Sequence, residues 1–404
     1  MLRPERRRRG DLVAAGVLVL VLALAVALVV ATSAAVHTRS DTASGTVPPV
    51  PEAPLNVPAT LNEIWRSPSA ATSAPVAVGP VVVTGDDSTV VGHDPLTGLP
   101  HWSYQRDLPL CTIGAGWGRA IAVYRNGQYC SEVTSLQAGT GVRGPQRNSD
   151  VPVGTQLLFN GYLVTATGSN HLETWRSDLV KTMEYGQQRA EIQPGTQPRP
   201  DCLHTSVAVT GGRLGVLERC PGEAGDRLTV LLPDETEEER PDQAVSTVLP
   251  ATGARLVALS DDREAVLLAD PPRLSVLGVD GVELASYPLD LPPGDLAGDP
   301  PGAVVPTIEI PGAVLWWTGS RTIALDSGDL HPLWTVPGAL GPGTLLAGAP
   351  VLPVPNALVE VDPVDGHVLR TVPMNRGNYQ GPVTEAALGP VLLEQRGPTV
   401  VALR

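Results

Sequence analysis

Hydrophobic positions are distributed in two ways along this chain. From Leu12 to about Ala35 they form one uncharged run, with the core LVAAGVLVLVLALAVALVVA. As a helix that run is about 30 Å long, one hydrocarbon thickness. Beyond it the apolar residues come in short bursts, often alternating with polar ones and cut by Gly, Pro, Asp and Asn. Such bursts predict short strands, and no long 3.6-residue periodicity appears after residue 35.

Residues 81–104, VVVTGDDSTVVGHDPLTGLPHWSY, show how the bursts are grouped. Two β-branched runs flank a polar turn; Asp94-Pro-Leu-Thr97-Gly98 follows, then a run carrying Trp102. The same order returns at 313–336 with Asp326, Gly328 and Trp334, and at 350–372 with Asp362, Asp365 and Gly366, where Arg370 stands near the Trp place. Segment 265–289 carries Asp280-Gly281, 120–146 carries Thr140-Gly141, and 162–185 has Ser177-Asp178 at its turn. Segment 213–241 is the most divergent and ends in an acidic tip. Gly98 and Gly141 lie 43 residues apart, Gly281 and Gly328 47, and Gly328 and Gly366 38. Four short strands per period of that length predict an all-β chain folded as a β-propeller. The Gly after each Asp is expected to supply the positive φ of a tight turn.

The two ends predict how the ring closes. The last segment, 382–404, supplies three strands and no Asp–Gly turn, whereas LNEIWRSP (61–68) is an orphan strand carrying Trp65. Joined, they make a closing blade shared by the N- and C-terminal segments and so remove an open sheet edge. Seven complete units plus this one give eight four-stranded blades; seven blades result if 202–245 merges with a neighbour.

TVVGHDPLTGLPHWSY and TIALDSGDLHPLWTV resemble the repeats of the PQQ-binding-like, quinoprotein-type propellers, in which an aliphatic strand, Asp-x-x-(Thr)-Gly and a Trp strand follow one another. The resemblance covers about residues 61–404. That superfamily includes quinoprotein dehydrogenases and a scaffold lipoprotein of outer-membrane assembly, so it implies the fold, and by analogy either PQQ chemistry or a scaffold role. The dehydrogenases also carry a disulfide between neighbouring cysteines, and no adjacent cysteines occur here.

The N-terminus changes the picture from a soluble ring to an anchored one. Arg3, Arg6, Arg7, Arg8 and Arg9 precede the apolar run, so residues 1–11 are expected to be a cytoplasmic tail, 12–35 a single transmembrane helix, and the C-terminal bulk extracytoplasmic. A cleaved signal peptide is the rival, with small residues at Ser33 and Ala35; the run exceeds an ordinary signal core. The first cysteine is Cys111, so no lipidated Cys follows the run. Residues 36–60, rich in Pro, Ser and Thr, are expected to be a stiff spacer lifting the 61–404 propeller off the membrane.

Charge excludes one class of partner. The chain has 28 basic and 42 acidic side chains, and the part beyond residue 11 retains 23 and 40, a net of −17. Such a surface repels nucleic acid. A single Lys (Lys181) among many Arg reads as high-GC codon bias, of the actinobacterial kind, and carries no mechanism.

Four cysteines in an exported domain suggest two disulfides. Chain direction alternates within a blade. Crossings between blades and second-to-third-strand turns therefore open on one face, here the crossing face. First-to-second-strand turns and the Asp–Gly turns open on the other, the Asp–Gly face. Cys111 and Cys130 take the start and the second turn of one unit, and Cys202 and Cys220 the same places two units on. The expected bonds are Cys111–Cys130 and Cys202–Cys220, since crossed pairs would join non-adjacent blades.

Catalytic motifs are not evident: no metal-binding His pair, nucleophile elbow or P-loop occurs. Gly114-x-Gly116-x-Gly118 opens no helix and predicts a tight turn, PDETEEERPDQ (233–243) a solvated hairpin tip, and Trp316-Trp317 one core and one partly exposed ring. Long Pro/Gly-rich crossings at 186–201, 290–304 and 373–382 share the disulfide face. The sequence thus predicts no catalytic, cofactor or metal residues and a non-enzymatic binding or scaffold module for an envelope protein or polymer. A PQQ-dependent oxidoreductase is the alternative.

Overall fold

The computed structural model describes residues 9–31, 33, 36–189, 195–234 and 242–404. Within them lie one helix, Arg9–Ala31, and eight antiparallel sheets that follow one another around a ring. We number the blades in chain order: 1 (76–105), 2 (110–148), 3 (157–186), 4 (203–248), 5 (255–288), 6 (307–337), 7 (344–373) and 8 (383–403). The segment 202–245 does not merge with a neighbour; it forms most of blade 4.

Strand alternation explains how a ring forms from such small sheets. Successive side chains point to opposite faces, so each blade has two apolar faces and needs two neighbours. In Val81–Asp86, Val81 and Val83 pack toward blade 2 while Val82 packs toward blade 8. The buried apolar residues accordingly fall into eight clusters, one at each blade–blade interface around the ring.

Closure follows the orphan-strand expectation. Glu63–Pro68 is the outer strand of blade 8, paired antiparallel with Thr399–Leu403 so that Trp65 faces Ala402 and Pro68 faces Thr399. Asn62 and Arg404 exchange backbone hydrogen bonds of 2.8 and 2.9 Å at its end.

The segment expected to stand off as a spacer lies on the ring instead. Arg39–Asp41 pairs with Pro100–Gln105 as a fifth strand on the outer edge of blade 1, with Arg39 opposite Gln105 at the crossing face. The chain then passes to the Asp–Gly face, where Ala43 N–H donates to Thr140 O and Val47 lies over Gly139 of blade 2. Pro51 lies over Gly389 of blade 8, and Val57 and Leu61 are buried between blades 7 and 8. Prolines hold this strap extended, and its spaced aliphatic side chains give it something to bury.

Candidate functional site: the capped axial channel

The turns that carry the repeat signature build the ring. Gly98 and Gly141 have φ of 71° and 70°, and each lies under a Trp of the preceding blade, Trp65 and Trp102 respectively. A Cβ on Gly141 would come within 2.6 Å of the Trp102 ring. The indole N–H then donates to a turn carbonyl: Trp65 to Pro95 O (2.8 Å), Trp102 to Ala138 O (2.7 Å), Trp334 to Pro363 O (3.0 Å). In blades 2 and 7 an Arg does the same. Arg147 donates to Leu179 O in blade 3, and Arg370 to Val57 O of the strap, which stands in for the turn blade 8 lacks. The Asp side chains fold the same turns, as when Asp94 Oδ1 accepts from the Leu96 and Thr97 N–H groups. One expectation fails in detail. Gly328 does not carry the positive φ of its turn; Leu330 does (61°), and its side chain is buried between blades 5 and 6.

On the crossing face both expected disulfides are present, Cys111–Cys130 in blade 2 and Cys202–Cys220 at blade 4. Each ties the start of an inner strand to the second turn of its own blade. They share a face, but blade 3 stands between them, so they form no joint site.

The crossing between blades 5 and 6 reaches across the axis. From it Asp299 meets Arg219 of blade 4 (3.4 Å), Pro301 O accepts from Gln156 Nε2 (2.8 Å) and Gly302 O from Thr167 Oγ1 (2.6 Å) at blade 3. Ala303 is buried between blades 3 and 4. The loop therefore covers the crossing-face end of the space between blades 3 and 6. Beneath it lies a cavity of about 500 Å³ between the inner strands of blades 3 to 6, where Leu158, Val209 and Ile308 line the wall together with Asn160, Thr210 and Thr307. Glu309, on the exposed side of its strand, supplies a carboxylate near the Asp–Gly face. There the cavity adjoins a second hollow carrying Asp261 and Asp262. The strap contacts blades 2, 7 and 8, away from this mouth.

PQQ carries three carboxylates, so a cradle for it needs cations. Among the described residues lining this cavity none is cationic, and the one charged group is Glu309. The lining does not fit that cofactor.

Other expected features fall into structural places. Trp316 is buried between blades 5 and 6, while Trp317 is half-buried and donates to Ala339 O (2.8 Å). Gly114 and Gly116 lie in the inner strand Leu110–Gly116, where Leu157 and Val164 of blade 3 press close, and the chain turns at Trp117-Gly118. His93 is buried between Thr84 Oγ1 (2.8 Å) and Gly98 O (2.9 Å) and stacks on Trp65; burial lowers its pKa. Of the acidic tip, Glu235, Glu237, Glu238 and Glu239 lie outside the described residues; Leu232 N–H donates to Asp242 O at its base.

The sequence reading missed the buried ionisable groups between blades. Glu173 sits between blades 2 and 3. Burial pushes its pKa up, but His171, Arg147 and the Asp150 N–H outweigh that and bring it to about 2. His204 is buried against Tyr185 with Nδ1 on Gly168 O (3.1 Å), and burial lowers it to about 4. Between blades 7 and 8, Arg376 and Arg396 hold Glu394, while burial and that carboxylate push Glu385 well up. Strand alternation marks these positions as inward-facing; it gives no sign of which opposite-charge partner the next blade brings. Asp326, Asp329 and His331, with Asp362, Asp365 and His367, also cluster closely. Their bonds are those of turns: Asp326 Oδ1 accepts from Gly328 and Asp329 N–H, and Asp329 from His331.

No protein-family model matches the chain, and no curated protein matches its sequence. Solved structures share its shape. BamB from Moraxella catarrhalis is 12% identical with a TM-score of 0.50, over 85% of this chain and 100% of that one. The computationally designed Ika8 protein is 14% identical with a TM-score of 0.53, over 84% and 98%. A quinohemoprotein alcohol dehydrogenase, ADHIIG from Pseudomonas putida HK5, is 12% identical with a TM-score of 0.49, over 85% and 76%. At these identities the likeness to the first two supports the β-propeller fold and nothing finer.

Proposed function

We propose that this protein is a membrane-anchored, extracytoplasmic propeller that binds a cell-envelope protein and catalyses no reaction itself. One observation carries the reading: the long crossing between blades 5 and 6 of a closed ring is spent on covering one end of a cavity whose single charged group, among the described residues, is a carboxylate. Catalysis by a quinone would want the reverse, an open channel with charged partners for the cofactor. A binding module wants a fixed frame with a shaped surface. Helix Arg9–Ala31 is long and apolar enough to cross a membrane, and the Arg cluster before it favours a cytoplasmic N-terminus.

Two measurements test this. Photo-cross-linking of the full chain in its native membranes is expected to yield a discrete adduct with an envelope protein. Added PQQ and Ca²⁺ are expected to leave the purified chain without a bound chromophore and without a shift in melting. Tight PQQ binding with dye-linked alcohol oxidation would replace this reading by the oxidoreductase one.

A further inference from the structure

We infer that the uncovered mouth of the axial cavity docks a basic segment of a partner protein, seating an apolar side chain of that segment in the cavity. This rests on the binding-module reading and says where and what the module binds.

The cavity has one blocked end and one open end. The crossing between blades 5 and 6 closes it on the crossing face through Gln156 and Thr167. The opening is on the Asp–Gly face, where Thr210, Leu259, Glu309 and Val314 line both the cavity and the hollow outside it. A volume of about 500 Å³ is within the range of sites that take a ligand or a large side chain. The walls offer aliphatic contacts from Leu158, Val209 and Ile308 beside the polar groups of Asn160, Thr210 and Thr307, so they suit an apolar side chain with polar or charged neighbours.

The rim specifies the rest. Asp261, Asp262 and Glu309 are exposed at the mouth. Beyond them the turns of blades 5 and 6 add Asp280 and Asp329, both exposed. Two cations stand nearby. Arg213 is buried against Glu264, and Arg263 lies 3.6 Å from Asp262, so together they leave the rim negative. A concave wall beneath a cluster of carboxylates on the blade 5 and 6 side focuses that potential. An apolar residue flanked by Arg or Lys satisfies both parts at once. An acidic segment would meet repulsion, and a purely polar one would leave the cavity unfilled. The strap also shows that extended chain can lie on this face: Val47 and Val57 already seat aliphatic side chains over blades 2 and 7.

The test uses the full chain in zwitterionic nanodiscs, with empty discs subtracted. Fluorescence anisotropy follows a labelled peptide with a Leu-Phe-Leu centre between Arg pairs. Two companions replace the Arg by Glu, or the centre by Ser-Ser-Ser. The basic apolar peptide is expected to bind about ten-fold or more tightly than either companion, and to weaken as salt rises from about 0.05 to 0.5 M. Thr307→Trp, at an exposed position lining the cavity, is expected to cost about ten-fold in affinity. The surface pair Asp262→Asn with Glu309→Gln does not rely on the packing of that Trp. It is expected to weaken binding about five-fold and flatten the salt dependence. Equal binding of the acidic peptide, or unchanged binding by both variants, overturns the inference. So does native-membrane cross-linking that captures a partner only from positions on the crossing face, an outcome that leaves the binding-module reading standing. Capture of nothing from either face would sink that reading itself.

Discussion

A single hydrogen atom at position 141 is what lets blade 1 dock on blade 2. Gly141 needs its positive φ and also lies under the Trp102 ring. Gly118 has nearly the same φ, 69°, but open space where a Cβ would go. Comparing the two separates backbone strain from lost docking. Gly118→Ala is expected to lower stability by about 1–2 kcal/mol, the left-handed penalty alone. Gly141→Ala adds overpacking against the indole, for about 2–4 kcal/mol in all. Urea unfolding followed by Trp fluorescence checks the difference, and equal losses would mean that the ring contact contributes nothing. A second residue sets an acid limit. His204 titrates at about 4 in the fold against an ordinary 6.5. Its contribution is therefore present above pH 6.5 and lost as pH falls from there through 4, on the order of 3 kcal/mol. His204→Phe, which keeps a ring against Tyr185, is expected to remove that slope; a melting curve with unchanged acid sensitivity would assign it elsewhere. Position 98 was legible in the sequence as a turn glycine; its role under Trp65 was not, because the Trp lies in another blade. Leu330 shows the opposite limit, since inter-blade packing lets a Leu occupy a conformation that local chemistry assigns to Gly.

At the scale of elements, the ring depends on a strand separated from its partners by most of the chain. Glu63–Pro68 covers the edge of blade 8 and places Trp65 on blade 1. Deleting 61–68 exposes that edge and removes the Trp65 contact between blades 8 and 1. Aggregation, or a melting temperature lower by about 10 °C or more, is expected from light scattering and calorimetry. A soluble deletion variant with unchanged melting would show that closure contributes no stability. This strand was legible because a lone Trp strand at one end matched a missing strand at the other. The disulfides were legible for a similar reason: alternating chain direction puts all four cysteines on one face, and the repeat assigns two to each of two blades. The strap was not legible. Pro-rich composition describes how extended a segment is and says little about whether Val47 and Val57 find a surface. That surface is assembled from turns more than 80 residues away in sequence, at Gly139 and Arg370.

For the whole molecule, the path of the chain out of the ring decides how it bears load. The proposed anchor ends at Ala31, and Arg39 is already paired with Gln105 at the crossing-face edge of blade 1. In the anchored form proposed above, residues 32–38 span at most about 25 Å, which would keep the ring close to the bilayer with its crossing face toward it. A pull on the helix arrives first at Arg39–Asp41, next at the strap, and only then at Glu63–Pro68. Under such a pull the short outer strand and the strap would act as a fuse in series with the ring: they are expected to peel first and lengthen the tether before load reaches the sheet that closes the circle. If the proposed anchoring holds, a ring moored in this way would give ground to a pull from its partner without coming open.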